Sequence, residues 1–240
     1  MIALIDGDIV AYRCAAASEK FDVSVGVEWA NNLMEDIINA TEANSYKIFI
    51  SGGDNFRKKL DPTYKANRKD VIKPQWLLAI QQFLITEWKA DVTNGYEADD
   101  ALGILQTQHG LNSTICSLDK DLLQIPGHHY NFVKKLHQQV SWEQGLKAFY
   151  TQTLVGDTAD NVFGVRGIGP VKALKVLDGC LPEDYYAACK ALYDSEERYH
   201  TNCKLLWIWR KLNDEWNPLY GYKAKEDTSK EATPEKVAPI

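Results

Sequence analysis

The sequence predicts an α/β fold, a mostly parallel sheet flanked by helices and followed by a helical region. Three observations predict it. Short apolar runs alternate with amphipathic helical stretches through the first part of the chain, the pattern of a parallel sheet covered on both faces. Two of those runs end directly in aspartates, at Asp6 and Asp119, where strand ends of such a sheet carry ligands. Beyond residue 142 the pattern is helical, broken only by a glycine-rich stretch.

In order, Ile2-Ala3-Leu4-Ile5 reads as a buried strand meeting the polar turn Asp6-Gly7-Asp8. A helix is expected over 9–17 and another over 27–41, the latter burying Trp29, Leu33, Ile37 and Ile38. Residues 46–50 form the second strand, and Ser51-Gly52-Gly53 leads into a basic segment. After Pro74 an amphipathic helix carries Trp76, Leu77, Ile80, Phe83 and Leu84. An extended piece near Val92 precedes Glu97-Ala98-Asp99-Asp100, which opens a helix over 101–108. A third strand is expected over 113–118, shorter ones over 129–133 and 139–142, and helices over 183–193 and 195–212. The final stretch, 222–240, mixes Lys, Glu, Thr and Pro and reads as a disordered tail. The expected division is 1–141, 142–221 and 222–240.

A hydrophobic content of 45% with 25% charged residues is that of an ordinary globular chain. No apolar run approaches the roughly 18 residues that span a bilayer, and no signal peptide is recognisable, so no membrane partner and a cytoplasmic location are expected. The five cysteines are scattered without a CxxC pair and read as reduced thiols. The net charge of -6 argues against nucleic acid only as a sum, since seven basic residues lie between Arg57 and Lys73 against Asp61 and Asp70.

Four acidic clusters carry the chemistry: Asp6 with Asp8, Glu97 with Asp99 and Asp100, Asp119 with Asp121, and Asp157 with Asp160. Each alone is readable as a helix cap. If all converge, repulsion forces protonation unless divalent cations enter. Oxygen ligands without His or Cys point to Mg²⁺, with Mn²⁺ able to substitute. Two such ions about 4 Å apart serve phosphodiester cleavage, with Lys65 and Arg68 offsetting charge on the scissile phosphate. After Asp160 comes a turn, Gly164-Val165-Arg166-Gly167-Ile168-Gly169, ahead of a helix whose first residue is Pro170. Its exposed amides, with Lys172 and Lys175 following, suit a phosphate.

The ordered set IDGD, DPTYKANR, YEADD, SLDKD, LVGDTADN and GVRGIGPVKA resembles the 5′-nuclease superfamily of flap endonucleases and 5′→3′ exonucleases. The segment NFRKKLDPTYKANRK is especially similar to bacteriophage-encoded 5′→3′ exonucleases, which would place the protein in a host cytoplasm. The resemblance implies a PIN-like nuclease core at 1–141 and a helix–three-turn–helix DNA-binding region at 142–221. It implies metal ligands at Asp6, Glu97, Asp99, Asp100, Asp119, Asp121, Asp157 and Asp160. Lys65 and Arg68 are implied at the scissile phosphate and Tyr64 beside the end base. The carbonyls of Leu154, Val155, Phe163, Val165 and Ile168 are implied as K⁺ ligands, with Gly167, Ile168, Gly169, Pro170, Val171 and Lys172 touching DNA. The implied partner is double-stranded DNA with a free 5′ end or 5′ flap, or an RNA–DNA hybrid. One departure is visible: the family carries a further aspartate shortly before the FR dipeptide, where this chain has Ser51 and Gly52. Either Asp54 serves through another loop path or that ligand is absent.

The expected activity is therefore Mg²⁺-dependent 5′→3′ exonuclease or flap cleavage. Alternatives are an RNase H-like primer-removing nuclease and a non-catalytic duplex-DNA binder. A haloacid-dehalogenase-type phosphatase fits Asp6-Gly7-Asp8 as a nucleophile motif and GDTADN as a metal motif but leaves EADD, DKD and the glycine turn without a purpose. A plain PIN ribonuclease needs no such turn.

Overall fold

The computed structural model describes residues 1–218, so the tail expected at 222–240 and the end of the expected helical region lie outside the described residues. Strand β1 (Ile2–Asp6) runs into α1 (Gly7–Ala17), and α2 (Val23–Ala40) leads to β2 (Ser45–Ile50). Helix α3 (Phe56–Leu60), a 3₁₀ turn at Ala66–Arg68, α4 (Leu77–Thr86) and β3 (Asp91–Val92) follow. Then come α5 (Ala98–His109), β4 (Ser113–Cys116), a 3₁₀ turn at Asp121–Gln124, and the hairpin β5 (Gly127–Asn131) with β6 (Leu136–Val140). The remainder is α6 (Trp142–Val155), a small hairpin of β7 (Gly156–Asp157) and β8 (Val162–Phe163), α7 (Pro170–Asp178), α8 (Tyr185–Lys190) and α9 (Glu196–Leu206).

The large sheet has the order β3-β2-β1-β4-β5-β6, parallel except where β6 pairs antiparallel with β5. β1 is central, with Ile5 opposite Ile48 of β2 and Cys116 of β4. Alternation along it feeds two cores. Ala3 and Ile5 pack with α1, α2 and α4, while Leu4 packs with Leu102 of α5 and Ile115 of β4. Leu4 and Ile5 each gain about 1.5–3 kcal/mol from burial, which fixes the register of β1 and so the place of Asp6 at its end. A third core gathers Phe149, Leu154, Tyr199 and Trp207 in the helical region.

Several expected bounds shift, each for a local reason. α2 starts at Val23 because the Asp22 carboxylate accepts from Ser24 N at 3.0 Å. It buries Gly26, Ala30, Met34 and Ile37, leaving Trp29 37% exposed and edge-on to Phe21. Trp142 opens a helix instead of closing a strand, because Ser141 and Gln144 form a capping box. The helix expected over 195–212 stops at Leu206: the following backbone is extended and buried, held by side chains from the sheet half. All five cysteines are free thiols. Among the described residues no helix is long and apolar enough to cross a membrane.

Candidate active site

Asp6 ends β1 and caps α1, accepting from Ile9 N at 3.1 Å. Its other oxygen accepts from the Ser117 hydroxyl at 2.7 Å, and Ser117 Oγ in turn accepts from Asp119 N at 3.0 Å. The ends of the neighbouring strands β1 and β4 are thereby tied together. Asp119 accepts from Asp121 N at 2.8 Å, and Asp157 accepts from Ala159 N at 2.8 Å across the small hairpin turn. Asp8, one helical residue on from Gly7, reaches the end of β2 and accepts from Ser51 N at 2.9 Å.

These carboxylates feel one another. Burial, aided by Asp8 and Asp119, pushes Asp6 up to about 7. Burial raises Asp99 well above the usual carboxylate range, with Asp6, Asp119 and Glu97 adding to it. Burial, then Asp119 and Asp157, raises Asp121 to about 8. Burial also raises Asp8, with Glu97 contributing. Such a group binds protons unless a cation takes their place, the electrostatic setting a hard divalent cation suits. Among the described residues no three of these side chains are gathered in the geometry of a finished metal centre; the oxygens are turned to local hydroxyl and amide donors.

A second group is already neutralised. The Tyr64 hydroxyl lies 3.0 Å from Glu97 and 2.7 Å from Asp160, with its one proton shared between them. Lys65 pairs with Glu97 and lies 3.6 Å from Asp160, and Arg68 pairs with the other oxygen of Asp160. Burial opposes charge at Glu97, but Arg57 and Lys65 outweigh it and hold that carboxyl below its ordinary value. Burial raises Asp160 despite Lys65, Tyr64 and Arg68. The loop carrying Lys65 docks by its backbone too: Lys65 N donates to Asp160 O at 2.8 Å, Asn161 Nδ2 to Thr63 O at 2.8 Å, and Arg68 Nε to Ala159 O at 2.9 Å. The basic loop and the acidic hairpin therefore form one unit.

Two expectations are corrected. Asp100 does not face the acidic group. It is fully buried and bidentate with Arg57 at 2.6 and 2.8 Å, and it accepts Glu97 N at 3.0 Å and Trp209 N at 3.1 Å. Four donors leave its oxygens no room for an ion. Tyr64 is not positioned to stack on a base: it is 3% exposed, its ring lies in the helical core, and its hydroxyl is bound by the two carboxylates. Neither Gly52 nor Asp54 supplies the aspartate missing before the FR dipeptide. A Cβ at Gly52 would meet Thr93 O at 2.1 Å, and Asp54 points to solvent, paired with Lys59 at 3.1 Å. Asp8, whose pairing with the end of β2 was not foreseen, lies on that side of the group instead.

The glycine turn is built by close backbone approach. Val165 N donates to Leu154 O at 2.8 Å, so the strand after the acidic hairpin lies against the end of α6. A Cβ on Gly164 would stand 2.3 Å from Leu154 O and 2.5 Å from Gly156 N. Gly164→Ala is therefore expected to cost about 1–3 kcal/mol and to push the turn off α6, seen as a lower Tm. Gly167 takes φ 79°, and Gly169 precedes Pro170 at the first position of α7. Gly167, Gly169, Pro170, Val171 and Lys172 are exposed, Ile168 is half-buried, and Lys172 donates to Gly167 O at 2.9 Å. Of the carbonyls expected to hold K⁺, that of Leu154 accepts from Val165 N, that of Val165 from Ile168 N at 3.1 Å, and that of Phe163 from Asn202 at 2.8 Å.

The mostly parallel sheet flanked by helices, followed by a helical region, is a PIN-like architecture. Residues 1–153 match the family described as 5′-3′ exonuclease, N-terminal resolvase-like domain, and the chain belongs to that family. It is 31% identical over 216 residues to the 5′-3′ exonuclease of Mycoplasma genitalium, covering 72% of this chain and 70% of that protein. With the thermostable DNA polymerase I of Thermus thermophilus it shares 30% identity over 200 residues, 73% of this chain but 24% of the polymerase. The chain thus spans about a quarter of the length of that polymerase. Among solved structures, the T5 5′-exonuclease with divalent zinc bound has a TM-score of 0.69 at 16% identity, over 93% of this chain and 92% of that one. A bacteriophage T5 flap endonuclease complex with DNA and metal ions has a TM-score of 0.68 at 17% identity, over 95% and 93% of the two chains. That likeness establishes the fold.

Proposed function

We propose that the protein is a divalent-metal-dependent 5′ nuclease acting on DNA with a free 5′ end or a 5′ flap. The observation that carries this reading is that burial and neighbouring carboxylates, Asp119 and Asp157 among them, raise Asp6, Asp99 and Asp121, beside a basic loop hydrogen-bonded to the acidic hairpin that leads into the glycine turn. A phosphatase reading uses the first aspartates but gives the turn and the Lys65 loop no task. In this reading residues 1–141, together with Asp157 and Asp160 of the hairpin that follows, carry the chemistry, and the remaining helical residues hold the duplex.

The donor set is all oxygen, which suits Mg²⁺, with Mn²⁺ as a substitute. Asp6, Asp8, Asp99, Asp119, Asp121 and Asp157 would hold two such ions, with Glu97 and Asp160 at the rim. Bound there, the ions supply Lewis acidity for phosphodiester hydrolysis. The chain's own groups do the rest. The amides of Gly167 and Gly169 and the charge of Lys172 grip duplex phosphates, with K⁺ as a proposed further ligand of the turn's carbonyls. Lys65 and Arg68 bring positive charge to the scissile phosphate from a loop fixed at Asp160. Lys65→Ala is expected to lower kcat by about 10²–10³-fold while shifting duplex affinity far less, measured by single-turnover cleavage against binding in Ca²⁺. Equal losses in both would remove Lys65 from the chemical step.

The defining experiment compares a 5′-labelled flap, a nicked duplex and an RNA–DNA hybrid in Mg²⁺. Short 5′-phosphorylated products that vanish with EDTA are expected. Tight binding without cleavage in Mg²⁺ or Mn²⁺ would make the protein a DNA binder and overturn the proposal.

A further inference from the structure

One helix touches both halves of the site. On its outer turns, Asn202 of α9 donates to Phe163 O at 2.8 Å, and Arg198 donates to Gly164 O and, at 3.5 Å, to Phe163 O. Those carbonyls belong to the strand that enters the glycine turn. Arg198 is itself held by Asp194 at 3.2 Å, and Asn202 also donates to the Tyr193 hydroxyl at 3.1 Å.

At the other end, the exit of α9 is bound to the two elements that carry acids. Arg57 donates to Leu205 O and Trp207 O, each at 2.7 Å, while it grips Asp100 at the start of α5, next to Asp99 and three residues after Glu97. Trp209 N donates to that same Asp100 at 3.1 Å. Gln124, at the end of the 3₁₀ turn begun by Asp121, donates to Leu206 O at 3.0 Å and accepts Ile208 N at 3.0 Å. Tyr199, on the outer turns beside Arg198, is fully buried in the helical core.

We propose that α9 and its exit segment are the strut that sets the cleavage register, the distance between the duplex grip and the acidic group. This inference rests on the nuclease reading above. At a helical rise of about 1.5 Å per residue, Asn202 and Leu206 are separated by only about 6 Å along the axis, so the link is short and stiff. Successive base pairs are about 3.4 Å apart along duplex DNA, so a slip of that size moves the scissile position by one nucleotide. The turn's attachments to α6 and its pairing through β8 with β7 hold it beside Asp157, and the Asn202 and Arg198 bonds tie that unit through α9 to the acids on α5 and the 3₁₀ turn. Both residues are positioning residues: their side chains end on backbone carbonyls of the turn strand.

The test is the product-length distribution. Asn202→Ala and Arg198→Ala, each confirmed folded by its Tm, are compared with wild type on one 5′-flap substrate in Mg²⁺ at nucleotide resolution. Both are expected to cleave, with a several-fold rise in products one nucleotide longer or shorter than the wild-type product. Arg198 is partly exposed, so its variant keeps the test alive if Asn202→Ala fails to fold. A loss of rate with every product at the wild-type position would overturn the strut, because a merely structural role slows cleavage without moving it. Absence of cleavage by wild type itself on every substrate would instead overturn the nuclease reading.

Discussion

Arg57→Ala is expected to destabilise the protein by about 3–5 kcal/mol, read as a shift of the urea unfolding midpoint with an unchanged slope. The residue looks like one member of a basic run, yet it is 2% exposed and lies among four acceptors. Removing it leaves Asp100 charged, buried and facing only backbone amides, and it frees the carbonyls of Leu205 and Trp207. The cost comes from those orphaned groups more than from the ion pair itself, since pairing in a buried site is largely offset by desolvation. A double substitution separates the two. Arg57→Met with Asp100→Leu should recover part of the loss, giving a favourable coupling in the cycle. A single Arg57→Ala change that costs less than about 1 kcal/mol would show that the pair is a bystander.

Asp99→Asn is expected to act in opposite directions on activity and stability. Cleavage should fall by about 10³-fold or more, corresponding to about 4 kcal/mol of transition-state stabilisation. Thermal stability in EDTA should rise. Burial and the charges of Asp6 and Asp119 raise the Asp99 carboxyl well above its ordinary range in the folded protein. The folded state therefore holds that proton more tightly than the unfolded chain. Stability from this group is complete below the unfolded value of about 3.9 and is lost as pH rises through the raised folded value. The variant's advantage in Tm should thus be largest above neutrality and shrink toward pH 4, at roughly 2–4 °C for each kcal/mol recovered. A variant less stable than wild type at pH 8 in EDTA would mean that Asp99 is held by attraction, not strained by repulsion.

The contrast between Asp99 and Asp100 shows where sequence reading stops. Consecutive helical residues point about 100° apart, so only one of them faces a given pocket. EADD states that the acids are near one another but not which side of α5 is packed. That depends on Arg57 and Trp209, which are distant in sequence. Tyr64 is a similar case. Its neighbours Lys65 and Arg68 are polar, and nothing local indicates that its ring closes the helical core. Strand-end aspartates were legible because apolar runs end sharply at Asp6 and, within a few residues, at Asp119. Pro170 opening a helix after a glycine turn was legible for the same local reason. The exit of α9 was not: the 195–212 pattern remains helical in composition, and only the buried hydrogen bonds to Gln124, Arg57 and Asp100 pull the backbone straight after Leu206.

The account turns on whether acids from four parts of the chain hold metal together. Anomalous scattering from a crystal soaked in Mn²⁺ measures this directly. Peaks bounded by Asp6, Asp99, Asp119, Asp121 and Asp157, and lost in Asp119→Ala, are the expected result. Manganese bound only elsewhere on the surface, or unaffected by that substitution, would contradict it.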